Sequence, residues 1–200
     1  MSTATVTPPP ASAPQPPGAR MTADEFGLRY SGARVEYVNG EVEEIPMAGG
    51  MHGKVCYRAA MVIGGFVDSN ALGHMFINDT FVRVPVKDDP QRVYGADVCF
   101  VSYARLARDA KVAPGVIPVC PELVIEVRSP SDTWAQVFRK VGDYLEAGVS
   151  VVVVLDPDTR TASAYRNDGT NPQQIFTAAD TLTLPDVLPG FAVPVARLFE

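Results

Sequence analysis

The spacing of apolar positions changes several times along the chain, and each change marks an element. Thr22, with Glu25 three residues on, carries a capping-box signature and predicts a short helix through Tyr30. RVEYV and EVEEI then alternate around Asn39-Gly40. Asn-Gly between alternating runs predicts a β-hairpin, because a type I′ turn needs positive φ at both positions. On the first strand Arg34, Glu36 and Val38 share one face, and Val35 and Tyr37 the other. The loop AGGMHG lacks the Gly-Lys-Ser/Thr ending of a phosphate-binding loop. After it the period becomes helical. Val55, Cys56, Ala59, Val62, Ile63 and Phe66 predict a helix from about His52 to Asp68, with His52 facing inward at its start.

MFINDTFVRVPV predicts a strand kinked at Asn78–Asp79, KDDPQ a turn, and VYGADVCFV the next strand. Alternation on that strand sends Asp97, Cys99 and Val101 one way, and Val98 and Phe100 the other. Ser102 to Pro118 reads as a polar connection with a helical part, irregular near Pro114-Gly115.

The stretch from Pro121 to Pro157 organises the rest. On the strand LVIEV, Val124, Glu126 and Arg128 share a face. Ser129-Pro130-Ser131 ends it, and Ser131 is positioned to cap the helix that follows. Trp134, Val137, Phe138, Val141, Tyr144, Leu145 and Gly148 form that helix's apolar stripe, which predicts a core position for Trp134. Lys140 lies on the flank, roughly 100° from the stripe's centre at 3.6 residues per turn. Gly148 ends the helix. VSVVVVL, continuously apolar and β-branched, predicts a strand buried on both faces, so strand, helix and strand make a βαβ crossover. TASAYR follows as a hairpin partner, Asn167 to Asn171 is a turn, and short strands are expected near Ile175–Phe176 and Thr181–Leu184. LPGFAVPVARLF folds back as an irregular strand and short helix that closes the core.

Composition sets the boundaries. Residues 1–20 hold six prolines among Ala, Ser and Thr, and predict a disordered Pro-rich tail. Residues 21–200 predict a single domain, and an apolar share of 46% is enough to build its core. A net charge of −6 argues against tight nonspecific adhesion to nucleic acid but leaves room for a local groove. Cys56, Cys99 and Cys120 form no CxxC pair, which suggests reduced thiols and a cytoplasmic location. No apolar run is long enough to span a bilayer, and the N-terminus lacks the basic and apolar regions of a signal peptide.

Two residues break the pattern. Asp97 and Glu126 each stand alone in an apolar strand, where a carboxylate is costly to bury without a partner. Two acids on neighbouring strands beside a lysine suit a hard divalent ion such as Mg²⁺, which takes oxygen ligands. A buried ion pair explains the same residues without function. Lys140 reads as a site cation or a solvated flank, Glu36 as a cleft residue or a cross-strand ion-pair partner, and His52 as a site residue or a helix-start histidine. His74, Ser129 and Ser131 read as turn or surface residues. A pair of carboxylates without a metal would instead suit glycoside hydrolysis.

In order along the chain, VEYVNGEV, His52 at the next helix start, ADV around Asp97, VIEVRSPS around Glu126, Lys140, Tyr144, Gly148-Val149 and Leu155-Asp156-Pro157 resemble the Uma family of restriction-endonuclease-like proteins. That family lies within the PD-(D/E)XK nuclease superfamily, and the resemblance runs from about Met21 to Glu200. It implies an α/β fold, a restriction-endonuclease-like mixed β-sheet flanked by helices with the N-terminal β-hairpin attached. It also implies a Mg²⁺ (or Mn²⁺) endonuclease acting on DNA, commonly a homodimer. Asp97 and Glu126 would be metal ligands with the backbone carbonyl of Val127, and Lys140 the catalytic cation, moved from strand to helix. Glu36, His52, Arg128 and Gln136 would line the cleft. The chain departs from the family pattern at Ala96, where proline is usual, at Gln136, where an acid is usual, and within VVVV, where an aromatic is expected. Arg128 takes the superfamily's usual lysine position, two residues after the glutamate. Gln136 and the acidic charge balance favour an alternative, a nuclease fold kept as a non-catalytic interaction module, whereas Asp97, Glu126 and Lys140 oppose it.

Overall fold

A computed structural model describes residues 20–167 and 173–200. The Pro-rich tail and most of the expected 167–171 turn lie outside the described residues. Helix α1 (Ala23–Arg29) carries the expected box: Thr22 accepts from the Glu25 N–H while the Glu25 carboxylate accepts from the Thr22 N–H. Phe26 on α1 stacks on Tyr37 with ring centroids 5.2 Å apart, pinning the helix to β1 (Val35–Val38). The hairpin from β1 to β2 (Glu41–Glu44) turns at Asn39 (φ 54°) and Gly40 (φ 85°), both left-handed as a type I′ turn requires. Helix α2 runs Gly50–Ser69, and β3 (Gly73–Arg83) pairs antiparallel with β4 (Val93–Ser102). After β5 (Leu123–Val127), α3 (Trp134–Glu146) crosses to β6 (Val151–Asp156), which pairs parallel with β5. β7 (Thr161–Arg166) and β8 (Gln173–Phe176) extend the sheet, while β9 (Thr181–Leu184) and β10 (Leu188–Pro194) form a separate antiparallel pair ahead of a 3₁₀ turn, Val195–Leu198.

The main sheet is ordered β2-β1-β4-β5-β6-β7-β8, with β3 also on β4. It is mixed and mainly antiparallel. Val55, Ala59, Ile63 and Val67 of α2 pack with the β9–β10 pair and with Val98, Ile125, Val153 and their same-face neighbours. Val137, Val141 and Tyr144 of α3 pack on the opposite face, against Cys99, Val124, Val152 and Val154. β6 is buried throughout, as its continuous apolar run requires.

One feature of the sheet positions the cleft. β1 meets β4 only at Val93, through Tyr37, whereas β5 meets β4 at Val98 to Phe100. Between these points, along Tyr94 to Asp97, the sheet forks. Side chains bridge the fork: Glu36 of β1 accepts from the Gly95 N–H (3.2 Å), and Asp97 accepts from the Val127 N–H (2.7 Å). Each satisfies a backbone donor that no strand partner reaches there. On the far edge of β4 the register shifts between Ile77 and Thr80, where Asn78 and Asp79 adopt positive φ. This is the kink expected from sequence.

Four expectations need correction. Tyr94, Ala96, Cys99 and Val101 all pack on the α3 face. Strict alternation is therefore interrupted at Asp97, opposite the β3 bulge, and Asp97 does not simply share the side of Cys99 and Val101. α3 is capped by Thr133 rather than Ser131, because the Ser129 N–H bonds Asp132 (2.7 Å) in a turn that delays the helix. Trp134 and Phe138 are not core. They are 42% and 49% exposed and stack on each other, Phe138 touching the sheet only edge-on at Tyr165, since the buried part of the stripe is the narrower Val137–Val141–Tyr144 row. The segment after Ser102 makes turns instead of a helix: both Arg105 and Leu106 donate to Ser102, and the repeat goes no further.

Candidate active site

The fork opens into a cleft of about 190 Å³ lined by Glu36, His52, Asp79, Asp97, Glu126 and Lys140, among others. β1 supplies Glu36, β3 Asp79, β4 Asp97, β5 Glu126, α2 His52 and α3 Lys140. Lys140 is the hub. Its Nζ donates to Glu36 Oε1 (2.9 Å) and to Glu126 Oε2 (3.1 Å), and lies 5.1 Å from the Tyr94 ring centroid. The other Glu126 oxygen accepts from the Tyr144 hydroxyl (2.8 Å), one helical turn beyond Lys140. Asp97 is 7% exposed and takes the Val127 N–H, with His52 Nε2 3.3 Å from the same oxygen.

The electrostatics follow from crowding acids into a partly dry space. Burial pushes the Glu126 carboxyl up to about 7, helped by Asp97 and Glu36 and opposed by Lys140 and the Tyr144 hydrogen bond. Burial works against the Lys140 ammonium, but Glu126, Glu36 and Asp97 outweigh it and hold the lysine charged. The hydrogen bond to Asp97 raises His52 despite its burial. Asp79 is raised by burial and by Asp97, against the pull of Arg34, His52 and Lys140. Arg34 pairs with Asp79 at 2.6 Å, Glu36 and Glu126 share the Lys140 ammonium, and Asp97 faces His52. Two buried carboxylates, Glu36 and Asp97, and the half-buried Glu126, set against Lys140 and His52, form an oxygen-rich pocket, the donor type a hard divalent ion takes.

The structure thus brings together Asp97, Glu126, Lys140, Glu36 and His52, and Val127 borders the same cleft. Arg128 and Gln136 also border it, but both side chains are engaged elsewhere. Arg128 pairs with Asp156 (3.0 Å) and Asp158 and covers the Trp134 ring, so it does not reach Glu126 as their shared strand face suggested. Gln136 folds back into the capping box with Thr133. Residue patterns missed Asp79, Arg34 and Tyr144. The first was visible only as a polar break in β3, and the last as a tyrosine four residues after the lysine.

Comparison with known proteins identifies the family and the fold. The family profile Uma2, described as "Putative restriction endonuclease", matches residues 23–196. The chain belongs to the Uma2 family. This Uma2 domain is also similar to a crystal structure described as a "putative nuclease belonging to DUF820" from Anabaena variabilis. The TM-score is 0.72 at 21% identity, over 90% of this chain and 97% of that one, and the likeness shows a shared fold. No curated protein matches the chain.

Proposed function

We propose that this Uma2 domain is a Mg²⁺-dependent (or Mn²⁺-dependent) endonuclease that hydrolyses DNA phosphodiester bonds, working as a cytoplasmic homodimer. The observation that carries the reading is Lys140, fixed by Glu36 and Glu126 in the cleft that also holds Asp97. Asp97 and Glu126 would hold the ion, with the Val127 backbone carbonyl as a further ligand. When bound, such an ion polarises a phosphate oxygen and acidifies the attacking water. Lys140 keeps its proton because of its acid neighbours, so its ammonium can orient that water and offset charge developing on the phosphoryl oxygens. Glu36 is a positioning residue: it holds Lys140 from β1, across the fork. His52 steadies Asp97 from the α2 side. Arg128 is anchored by two aspartates at the cleft's border, so Lys140 is the cation we assign to the reaction.

One observation favours the non-catalytic module instead. Both Glu126 oxygens are already engaged, by Lys140 and Tyr144, as in a self-contained buried ion pair. Calorimetric titration of Mg²⁺ and Mn²⁺ into wild type and Glu126→Gln, with plasmid cleavage in parallel, separates the two. The nuclease reading expects binding and cleavage in wild type and neither in the variant. Absence of binding in wild type would remove the metal-dependent reading altogether.

A further inference from the structure

Beside the carboxylates assigned to Mg²⁺ lies a donor set of different chemistry. His52 and Cys56 are four residues apart on α2, so the helix places both side chains on one face. His52 Nδ1 is 3.4 Å from Cys56 Sγ, and His52 Nε2 is 3.3 Å from Asp97 Oδ2. One donor atom from each of the three residues lies within 4.8 Å of the other two. In a tetrahedral site with metal–sulfur distances of about 2.3 Å and metal–nitrogen or –oxygen distances of about 2.0–2.2 Å, adjacent donors stand roughly 3.3–3.6 Å apart. The two short distances use different ring nitrogens, so one ion would take a single His52 nitrogen, with the three donors spread over no more than 4.8 Å and closing by about 1 Å on binding. A thiol and an imidazole are poor ligands for Mg²⁺, which takes oxygen. They are good ligands for zinc and its d-block neighbours. The hydrolytic reading leaves Cys56 without a role.

We propose that His52, Cys56 and Asp97 form a second metal site, selective for zinc-class ions, with cleft water as the fourth ligand. On binding, the Cys56 thiol releases its proton to solvent and the thiolate donates an electron pair to the ion. The imidazole contributes one nitrogen, reached by a small rotation of the ring, and Asp97 one oxygen. No redox step is involved. Asp97 would then be claimed by two kinds of ion. A zinc-class ion would displace Mg²⁺ from Asp97 and suppress cleavage. That last consequence rests on the nuclease reading, whereas the site itself does not.

Co²⁺ titrated into the reduced, chelator-free full chain tests the site without reference to activity. The expected result is a near-ultraviolet thiolate-to-cobalt charge-transfer band saturating at one equivalent. It should be lost in Cys56→Ser and in His52→Gln, and retained in Glu126→Gln. No thiolate band in wild type overturns the proposal, as does a band that persists in Cys56→Ser, which would move the ion to Cys120 or Cys99. A second measurement needs no variant. One equivalent of Zn²⁺ should slow alkylation of Cys56 but not of Cys120 in the wild-type chain, and equal rates would refute the site. A cobalt band without any Mg²⁺ binding would sink the hydrolytic reading alone; Mg²⁺ binding without the band would sink this one alone.

Discussion

Two buried ion networks meet α3, and they differ in an instructive way. One is built on Arg92, whose guanidinium bonds Asp89 (3.1 Å), Asp143 of α3 and Asn39 (3.1 Å). Asp89 in turn accepts from the Asn39 N–H (2.6 Å), and Tyr94 donates to Asp143 (2.5 Å). This network ties the β1–β2 turn to β4 and α3, and its residues do not line the cleft. The other is built on Lys140, one turn away on the same helix, and opens into the cleft with Asp97 beside it. Burial of charge is common to both, so it does not mark function. What separates them is the direction of the unmet charge. Arg92 links structural elements, whereas the Lys140 cluster faces solvent-accessible space with more carboxylates than its cation can neutralise.

The largest expected effect is on the open network. Glu126→Gln should abolish Mg²⁺ binding and cleavage while leaving urea unfolding no less stable than wild type, because a crowded buried carboxylate is removed along with its repulsion. A variant that binds Mg²⁺ normally would place the ion elsewhere. Arg92→Ala should do the opposite. Asp89 and Asp143 would be left buried without their cation, costing about 3–5 kcal/mol in urea unfolding, with Mg²⁺ affinity of the folded fraction unchanged. If the second variant loses binding before stability, the two networks are not separate.

Lys140→Met sharpens the comparison further. Cleavage should fall on the order of 10²–10³-fold, the scale of losing one oriented charge in a reaction site. Mg²⁺ affinity should hold or rise, since the pocket loses its competing ammonium. Parallel loss of both would make Lys140 a structural prop. The pH dependence comes next. The Glu126 carboxyl titrates near 7 when folded, against a usual 4.5, because burial disfavours its anion. Between these values the metal-free folded chain binds more protons than the unfolded one, so its stability falls as pH rises from about 4.5 to about 7. Mg²⁺ affinity should run the other way, rising by up to ~10-fold per pH unit through the same window and levelling above it, because binding displaces one proton. Calorimetry across that window checks this, and a flat profile would mean that Glu126 is not displaced from its proton. Smallest is Thr133→Ala, which removes the α3 cap and should cost about 1 kcal/mol in unfolding with little change in cleavage.

The local elements were legible because each has a local cause. The Thr22–Glu25 box, the Asn39-Gly40 turn and the Asn78–Asp79 kink follow from neighbours a few residues apart, and the β5–α3–β6 crossover from the order of three locally patterned segments. The site was legible only in part. Asp97 and Glu126 announced themselves as acids in apolar strands; Lys140, Glu36 and His52 each had a structural reading beside the functional one, and family resemblance tipped them toward the cleft. Asp79, Arg34 and the engagement of Arg128 by Asp156 and Asp158 have no such signature, because their partners lie far along the chain. Trp134 is exposed for a related reason: helical periodicity gives the width of an apolar stripe but not the width of the surface it meets.

Sequence alone thus determined the order of elements, the faces of the strands away from Asp97, and the two acids that burial makes costly. Tertiary structure decided where those acids meet. The fork between β1 and β5 on β4 depends on pairing between segments far apart in the chain. The fork lets Glu36 reach across to Lys140, the β3 bulge lies opposite the interrupted alternation at Asp97, and Asp156 and Asp158 hold Arg128 away. Which strands pair with β4, and at which residues, depends on packing between distant segments, whereas a periodicity read along one segment gives only that segment's faces.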